Sequence, residues 1–579
     1  MRLPDEVARM LAGDSGPTRQ KAARLVVDLA ATAGVDEFVR CTHAHVSGVS
    51  VITGGLGLRR FLADLSGDAE GRVVIPTTLN SAGCDQHRMQ EMGIDQEGFL
   101  EQQFEIIRAY TDLGIEATLS CTPYDSDIDH GSGIGSWAES NAVCFSNSYT
   151  SLITNRESGL SALATALTGW APRWGLHLPE NRMPNILVQI DAEMADATDW
   201  SILGDWIGAQ VQPDWDLPWG PMPRIVGLPA SASHDMRKAL TAAAANHGCP
   251  MLWADGITAA APDSAPVQGE LRFTEADLEA RYAELTPTGA VDLVVIGCPQ
   301  ASIGEVRMTA AAVRARMELG ERIPDRRLWV FTSAHNHSQL EAEGTIDLLE
   351  TAGTLVLKDT CPEVTPYNRS RYNHLLTNSM KAEHYLTSGL NRMPTSVARI
   401  DECVAHAFDP NRITGPRPVL HSAARPGMVT AKTARSGDCS LTGRSLPSQT
   451  SWSVRGEALV TDVPITWLGF VNTETGVIEE PGHPLRGESV AGRLLVYPKG
   501  SGSTVAPFVL MGLIYSGRGP LAIINRDVCT LTLPGASLLG LPYAMGFDAD
   551  PCLALNSGDV VEMRLDDGDV SLTVLERAS

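Results

Sequence analysis

CTPYDSDIDHGSGIGSWAESNAVCFSNSYTSLITNRE, residues 121–157, is the stretch on which the reading of the fold turns. It begins where an apolar run, residues 115–120 (IEATLS), ends in Cys121, Thr122 and Pro123. That pattern predicts a strand breaking into a loop, because proline neither continues a sheet ladder nor sits inside a helix. Two other segments end the same way: VDLVVIG (291–297) runs into Cys298-Pro299, and TLVLKDT (354–360) into Cys361-Pro362. In open α/β sheets the carboxyl ends of the strands form the ligand-binding edge. Three thiols at that edge point to a metal site with an open position, built on iron–sulfur or on zinc. The competing reading is three small buried side chains, since free cysteine is among the most buried residue types.

With 579 residues the chain exceeds a single core, so two or three domains are expected. Charged residues at 20% and hydrophobic ones at 43% describe an ordinary globular protein. A net charge of −24 works against nucleic acid or an anionic membrane surface as partner. No apolar run reaches the roughly 20 residues of a spanning helix, and MRLPDEVARM lacks a signal-peptide pattern. A cytoplasmic location is the expectation. Eleven cysteines, odd in number and scattered, argue for metal or catalytic use rather than disulfides.

Helical spacing of apolar residues predicts helices over 4–12 and 17–33, followed by a loop over 42–56 that leads into a helix near 57–65. Residues 73–75 read as a strand and 97–113 as a helix. From there to about 408, strands near 185–190, 223–227, 250–254, 291–297, 328–332 and 353–358 alternate with helices near 197–207, 232–246, 274–285, 304–318, 337–351, 378–388 and 397–407. Such alternation predicts parallel sheet made of βαβ units. The prolines at 410, 416, 418, 426 and 447 mark a linker or long excursion. Beyond it, short strands and one helix near 506–516 predict a compact β-rich domain of about 130 residues.

In that last domain LLVYP (494–498) ends in Lys499, Gly500, Ser501, Gly502, Ser503 and Thr504, just before a helix. Strand, glycine turn and helix start form an anion-binding geometry; the alternative is a plain tight turn. The spacing is not that of a nucleotide P-loop, whose lysine follows the glycines. A serine here would have its alkoxide stabilised by backbone amides and the helix dipole.

These residues carry a resemblance to the aconitase X family. The matching pieces are AHVSGVS (44–50), PTTLN (76–80) with Asp85, CTPY (121–124), WAESNAV (137–143), NSYTSLITNRE (147–157), GCP (297–299) with Ser302 and Glu305, DTCP (359–362) and TNSMK (377–381). GEALVTD (456–462) and TGVIEEPGHPLRGESVAGRLLVYPKGSGS (475–503) extend them. The resemblance implies an α/β fold: a large multi-layer, parallel-sheet, aconitase-like catalytic domain (1–410), a linker (411–455) and a smaller β-rich swivel domain (456–579) that lids the site. It implies an iron–sulfur cluster on Cys121, Cys298 and Cys361, of four irons or two, with mononuclear iron as a further possibility. Gly48, Val49, Ser50, Asn80, Glu139, Ser140 and Lys381 would line the substrate pocket, with Asn155, Arg156 and Thr504 beside it. Ser503 would be the base and Glu139 a proton carrier; Arg156 and Lys381 suit a carboxylate.

The chain departs from the family pattern at Gln300, where histidine is usual, and at Ser501, where arginine is usual. Val505, Ala506 and Pro507 stand where small polar residues are usual. The implied activity is a hydro-lyase acting on a small 3-hydroxy carboxylic acid. Cis-3-hydroxy-L-proline is preferred to mevalonate 5-phosphate, because a loop without the arginine is poorly equipped for a phosphate dianion. The rivals are a zinc enzyme on the same thiols and a non-enzymatic, metal-sensing regulator.

Overall fold

The computed structural model describes the chain except residues 66–67, 69–70, 95, 127–131, 213–214, 263–265, 288, 389, 413–439 and 579. Three parallel sheets form the larger part. The first runs Thr77–Leu79, His43–Val46, Gly133–Trp137, Leu152–Arg156. The second runs Gly269–Phe273, Ile186–Ile190, Pro223–Val226, Trp253–Ala254. The third has five strands, in the order Leu355–Leu357, Leu328–Thr332, Leu293–Ala301, Leu375–Thr377, Thr395–Val397. Its central strand reads LVVIGCPQA and is buried throughout, as a strand covered on both faces must be. Hydrogen bonds from Lys381 to Glu139 and from Ser50 to the Val364 carbonyl join the carboxyl edges of the first and third sheets. Among the described residues no helix is long and apolar enough to cross a membrane.

Several sequence expectations are corrected here. Residues 115–120 are not a ladder strand: only Glu116 makes a bridge, to Thr78, and Leu119 turns to a left-handed φ of 47°. The stretch 73–75 is irregular, and the strand follows it at Thr77–Leu79. Residues 42–56, expected as a loop, hold the inner strand His43–Val46 and the start of the helix Val51–Leu65. The helix expected over 337–351 is two, parted by Gly344 at φ 75°. Cys298 lies within its strand, at a register break between Ile296 and Ala301, rather than beyond it.

The C-terminal part closes a seven-stranded barrel, ordered Ser440–Arg444, Tyr543–Met545, Ala522–Asn525, Leu494–Tyr497, Trp452–Val460, Val560–Asp566, Asp569–Glu576. The first of these strands and the start of Trp452–Val460 occupy residues expected as linker, and 413–439 lie outside the described residues. The helix Ala506–Tyr515, almost wholly buried, packs on the helix Val51–Leu65. Gly57 permits the approach: a Cβ there would stand 2.3 Å from the Phe508 carbonyl oxygen and 2.7 Å from the Gly512 nitrogen. One hydrophobic core accordingly runs unbroken from Leu25, Leu58 and Leu160 of the first domain into Trp467, Phe508 and Leu510 of the barrel.

Candidate active site

Each thiol turn is preceded by a residue with left-handed backbone: Leu119 (φ 47°), Gly297 (φ 110°) and Asp359 (φ 67°). These reversals turn Cys121, Cys298 and Cys361 inward, and all three are buried. Cys361 donates a hydrogen bond to the Cys121 sulfur, which also accepts from the Gln300 N–H at 3.3 Å. The hydrogen bond from Cys361, with the Lys381 charge nearby, lowers the Cys121 pKa despite burial. Burial pushes the Cys298 and Cys361 thiols well up, and Cys298 donates to Glu363 at 3.8 Å.

Among the described residues no trio of His, Cys, Asp or Glu gathers tightly enough for one ion. Three thiolates on one zinc would stand about 4 Å apart, from the length of a Zn–S bond. The three thiols lie within electrostatic reach of one another, with Cys121 and Cys361 in hydrogen-bond contact. The buried, all-sulfur donor set fits an iron–sulfur group, and its chemistry would also suit zinc.

A charged chain crosses the seam beside the thiols. Asn80 donates to Glu139 at 2.7 Å, and the Lys381 ammonium meets the other Glu139 oxygen at 2.6 Å. Lys381 also donates to Asn141 and lies 3.8 Å from Glu363, while the Asn141 carboxamide donates to the Cys121 carbonyl at 2.9 Å. Glu139 stands at the start of the helix Ser140–Tyr149, accepting from the Asn141 N–H, and Ser140 is buried next to it. Burial would depress Lys381, but Glu139, Glu363 and the thiols outweigh it and hold it well above its usual range. Burial pushes the Glu363 carboxyl up to about 6, with Lys381 opposing.

The barrel contributes its glycine turn. Arg156, at the end of its strand, donates to the Gly502 carbonyl at 3.0 Å. The Gly159 N–H donates to the Thr504 carbonyl, and the Thr504 and Ser47 hydroxyls are 3.1 Å apart. Ser503 is half-buried between these contacts, and its Oγ lies 3.5 Å from the Val505 N–H at the helix start. Ser501 faces away, bonded to Thr466, whose hydroxyl donates to Glu480.

Some expected residues have other places. Asn155 is turned from the seam: its carboxamide takes the Leu176 N–H at 2.7 Å and donates to the Trp174 carbonyl, because that turn needs both. Val49 is a core side chain whose carbonyl is held by Gln103. Gly48 serves close packing, since at φ 91° a Cβ would stand 2.2 Å from the Phe508 ring. Glu363 and Asn141 escaped the sequence reading; the signal for Glu363 was a charge two residues beyond Cys361 in an otherwise apolar turn.

A chain with this arrangement of sheets, thiols and barrel matches three family models: aconitase X first domain over residues 1–180, third domain over 291–409 and swivel domain over 442–572. The large subunit of phosphomevalonate dehydratase from Methanothermobacter thermautotrophicus is 35% identical over 386 residues, covering 65% of this chain and 92% of that one. Cis-3-hydroxy-L-proline dehydratase from Pseudomonas aeruginosa is 33% identical over 417 residues, 69% of this chain and 68% of that one. The holo-form crystal structure of Thermococcus kodakaraensis aconitase X superposes with a TM-score of 0.62 at 29% identity, over 70% of this chain and all of that one. The chain belongs to the aconitase X family.

Proposed function

We propose that the chain is a hydro-lyase that dehydrates a small 3-hydroxy carboxylic acid, with cis-3-hydroxy-L-proline as substrate. The observation that carries this is the buried Asn80–Glu139–Lys381–Glu363 chain ending on Cys298, with the 502–504 turn of the barrel latched beside it on Arg156, Ser47 and Gly159. A four-iron cluster held by Cys121, Cys298 and Cys361 would supply a Lewis-acidic iron for the substrate hydroxyl.

The chain's own groups do the rest. Arg156 and Lys381 hold the substrate carboxylate, and the buried seam excludes water. Ser503 takes the α-proton; amides at the helix start stabilise its oxyanion. Glu139, held as a carboxylate between Asn80 and Lys381, relays a proton from the Lys381 ammonium to the departing hydroxyl. The charge balance favours a zwitterion, because Glu139 and Glu363 offset Lys381 and leave little for a phosphate dianion. The reach of the Pseudomonas alignment, 69% of one chain and 68% of the other, also makes those two chains about equally long.

Purified without oxygen, the protein is expected to carry iron and acid-labile sulfide and to turn over cis-3-hydroxy-L-proline. Ser503→Ala should lower kcat on the order of a hundredfold with little change in KM. Ser501→Ala, two residues away but bonded to Thr466, should stay within a few-fold of wild type. Turnover of mevalonate 5-phosphate alone would overturn the substrate, and an unimpaired Ser503→Ala would overturn the base.

A further inference from the structure

Gln300 touches the turns of all three thiols. It follows Cys298 by two residues, its N–H donates to the Cys121 sulfur at 3.3 Å, and its Nε2 donates to the Leu119 carbonyl at 3.2 Å and to the Thr360 carbonyl at 2.9 Å. Those carbonyls belong to the two strained reversals that aim Cys121 and Cys361, where Leu119 and Asp359 have left-handed φ without being glycine. Two carbonyl acceptors on one side of the carboxamide settle which end is nitrogen. The opposite Oε1 is buried with no partner among the described residues. An acceptor left so is costly, which marks a side chain kept for what its nitrogen does. Gln300 is itself anchored: its carbonyl accepts from the buried Lys238 at 2.8 Å, and Lys238 is paired with Glu305, which also accepts from the Ser302 N–H.

We infer that Gln300 is the positioning residue of the three-thiol site, its carboxamide tying the Cys121 turn to the Cys361 turn so that the sulfurs keep the spacing a cluster requires. This rests on the cluster reading above. It acts through the thiols and does not touch substrate, so its signature lies in cluster retention and in the spectrum rather than in a chemical step.

The test compares Gln300→Met, which keeps length and removes both donated bonds, with Gln300→His, which keeps one N–H donor. Anaerobically purified proteins are challenged with an iron chelator, and the rate of iron release and the electron paramagnetic resonance spectrum are recorded. The expected result is release at least about tenfold faster in the Met variant with an altered spectrum, and recovery to within about threefold by His. Met within twofold of wild type, or Met and His indistinguishable, overturns the inference while leaving the cluster reading standing. A Met variant that yields no folded apoprotein also overturns it, by making Gln300 a residue of the fold. A wild-type protein without iron and sulfide overturns the cluster reading, and this inference with it.

Discussion

The first domain presents two seams that differ in kind. Against the third sheet, its Asn80, Glu139 and Cys121 meet Lys381, Glu363, Cys298 and Cys361, a buried strip held by ion pairs and hydrogen bonds. Against the barrel it places Leu25, Leu58 and Leu160 on Phe508 and Leu510, a continuous apolar core with glycine at the closest contacts. The barrel seam buries few polar groups beside this core, among them Asp28, which accepts from Ser448 and Ser537. Buried ion pairs contribute little net stability but fix charge in a place; apolar contact does the reverse. Under the proposed mechanism the difference is a division of labour: the sheet seam would hold the chemistry at a cost, and the barrel seam would supply the stability that carries Ser503 to it.

Substitutions at the two seams should therefore separate activity from stability. The largest effect is expected from Lys381→Met, which leaves Glu139 and Glu363 facing each other without their shared cation. Turnover should fall on the order of a thousandfold, and stability by about 3–5 kcal/mol because buried charge is left unpaired. Steady-state kinetics beside chemical denaturation would check both, and a variant within tenfold of wild-type kcat would break the contrast.

Glu480 sharpens it from beneath the glycine turn. Burial pushes its carboxyl up to about 7 in the folded chain, with its Thr466 hydrogen bonds opposing, against about 4.3 when unfolded. The folded state therefore holds this proton more tightly, so its contribution is greatest below pH about 4 and is lost as pH rises through 7, by up to about 4 kcal/mol. Glu480→Gln should flatten that part of the stability–pH curve; an unchanged slope in denaturant melts between those pH values would rule out Glu480 as its source.

The smallest effect is expected from Gly57→Ala at the barrel seam. Its Cβ would meet the backbone of Phe508 and Gly512, costing about 1–3 kcal/mol by overpacking. The enzyme that remains folded should keep its kcat. If kcat falls as far as in Lys381→Met, the barrel seam is part of the chemistry and the division of labour is wrong.

The sequence by itself determined the βαβ alternation and the glycine turn, because each is written in local signals: apolar period, and glycine before a helix. It misjudged residues 42–56, since His43 and His45 look polar although both are buried, bonded to Trp137 and Thr78. Asn155 shares a motif with Arg156, yet alternation along a strand sends their side chains opposite ways. Only the tertiary structure decided that Glu363 completes the charge chain, that Gln300 bridges thiol turns some 60 and 180 residues away, and that Phe508 seats against Gly48. Those are contacts between segments far apart in the chain. A single sequence records which side chains exist, while which of them meet depends on how three sheets and a barrel pack, and on the backbone reversals at Leu119, Gly297 and Asp359 that aim them.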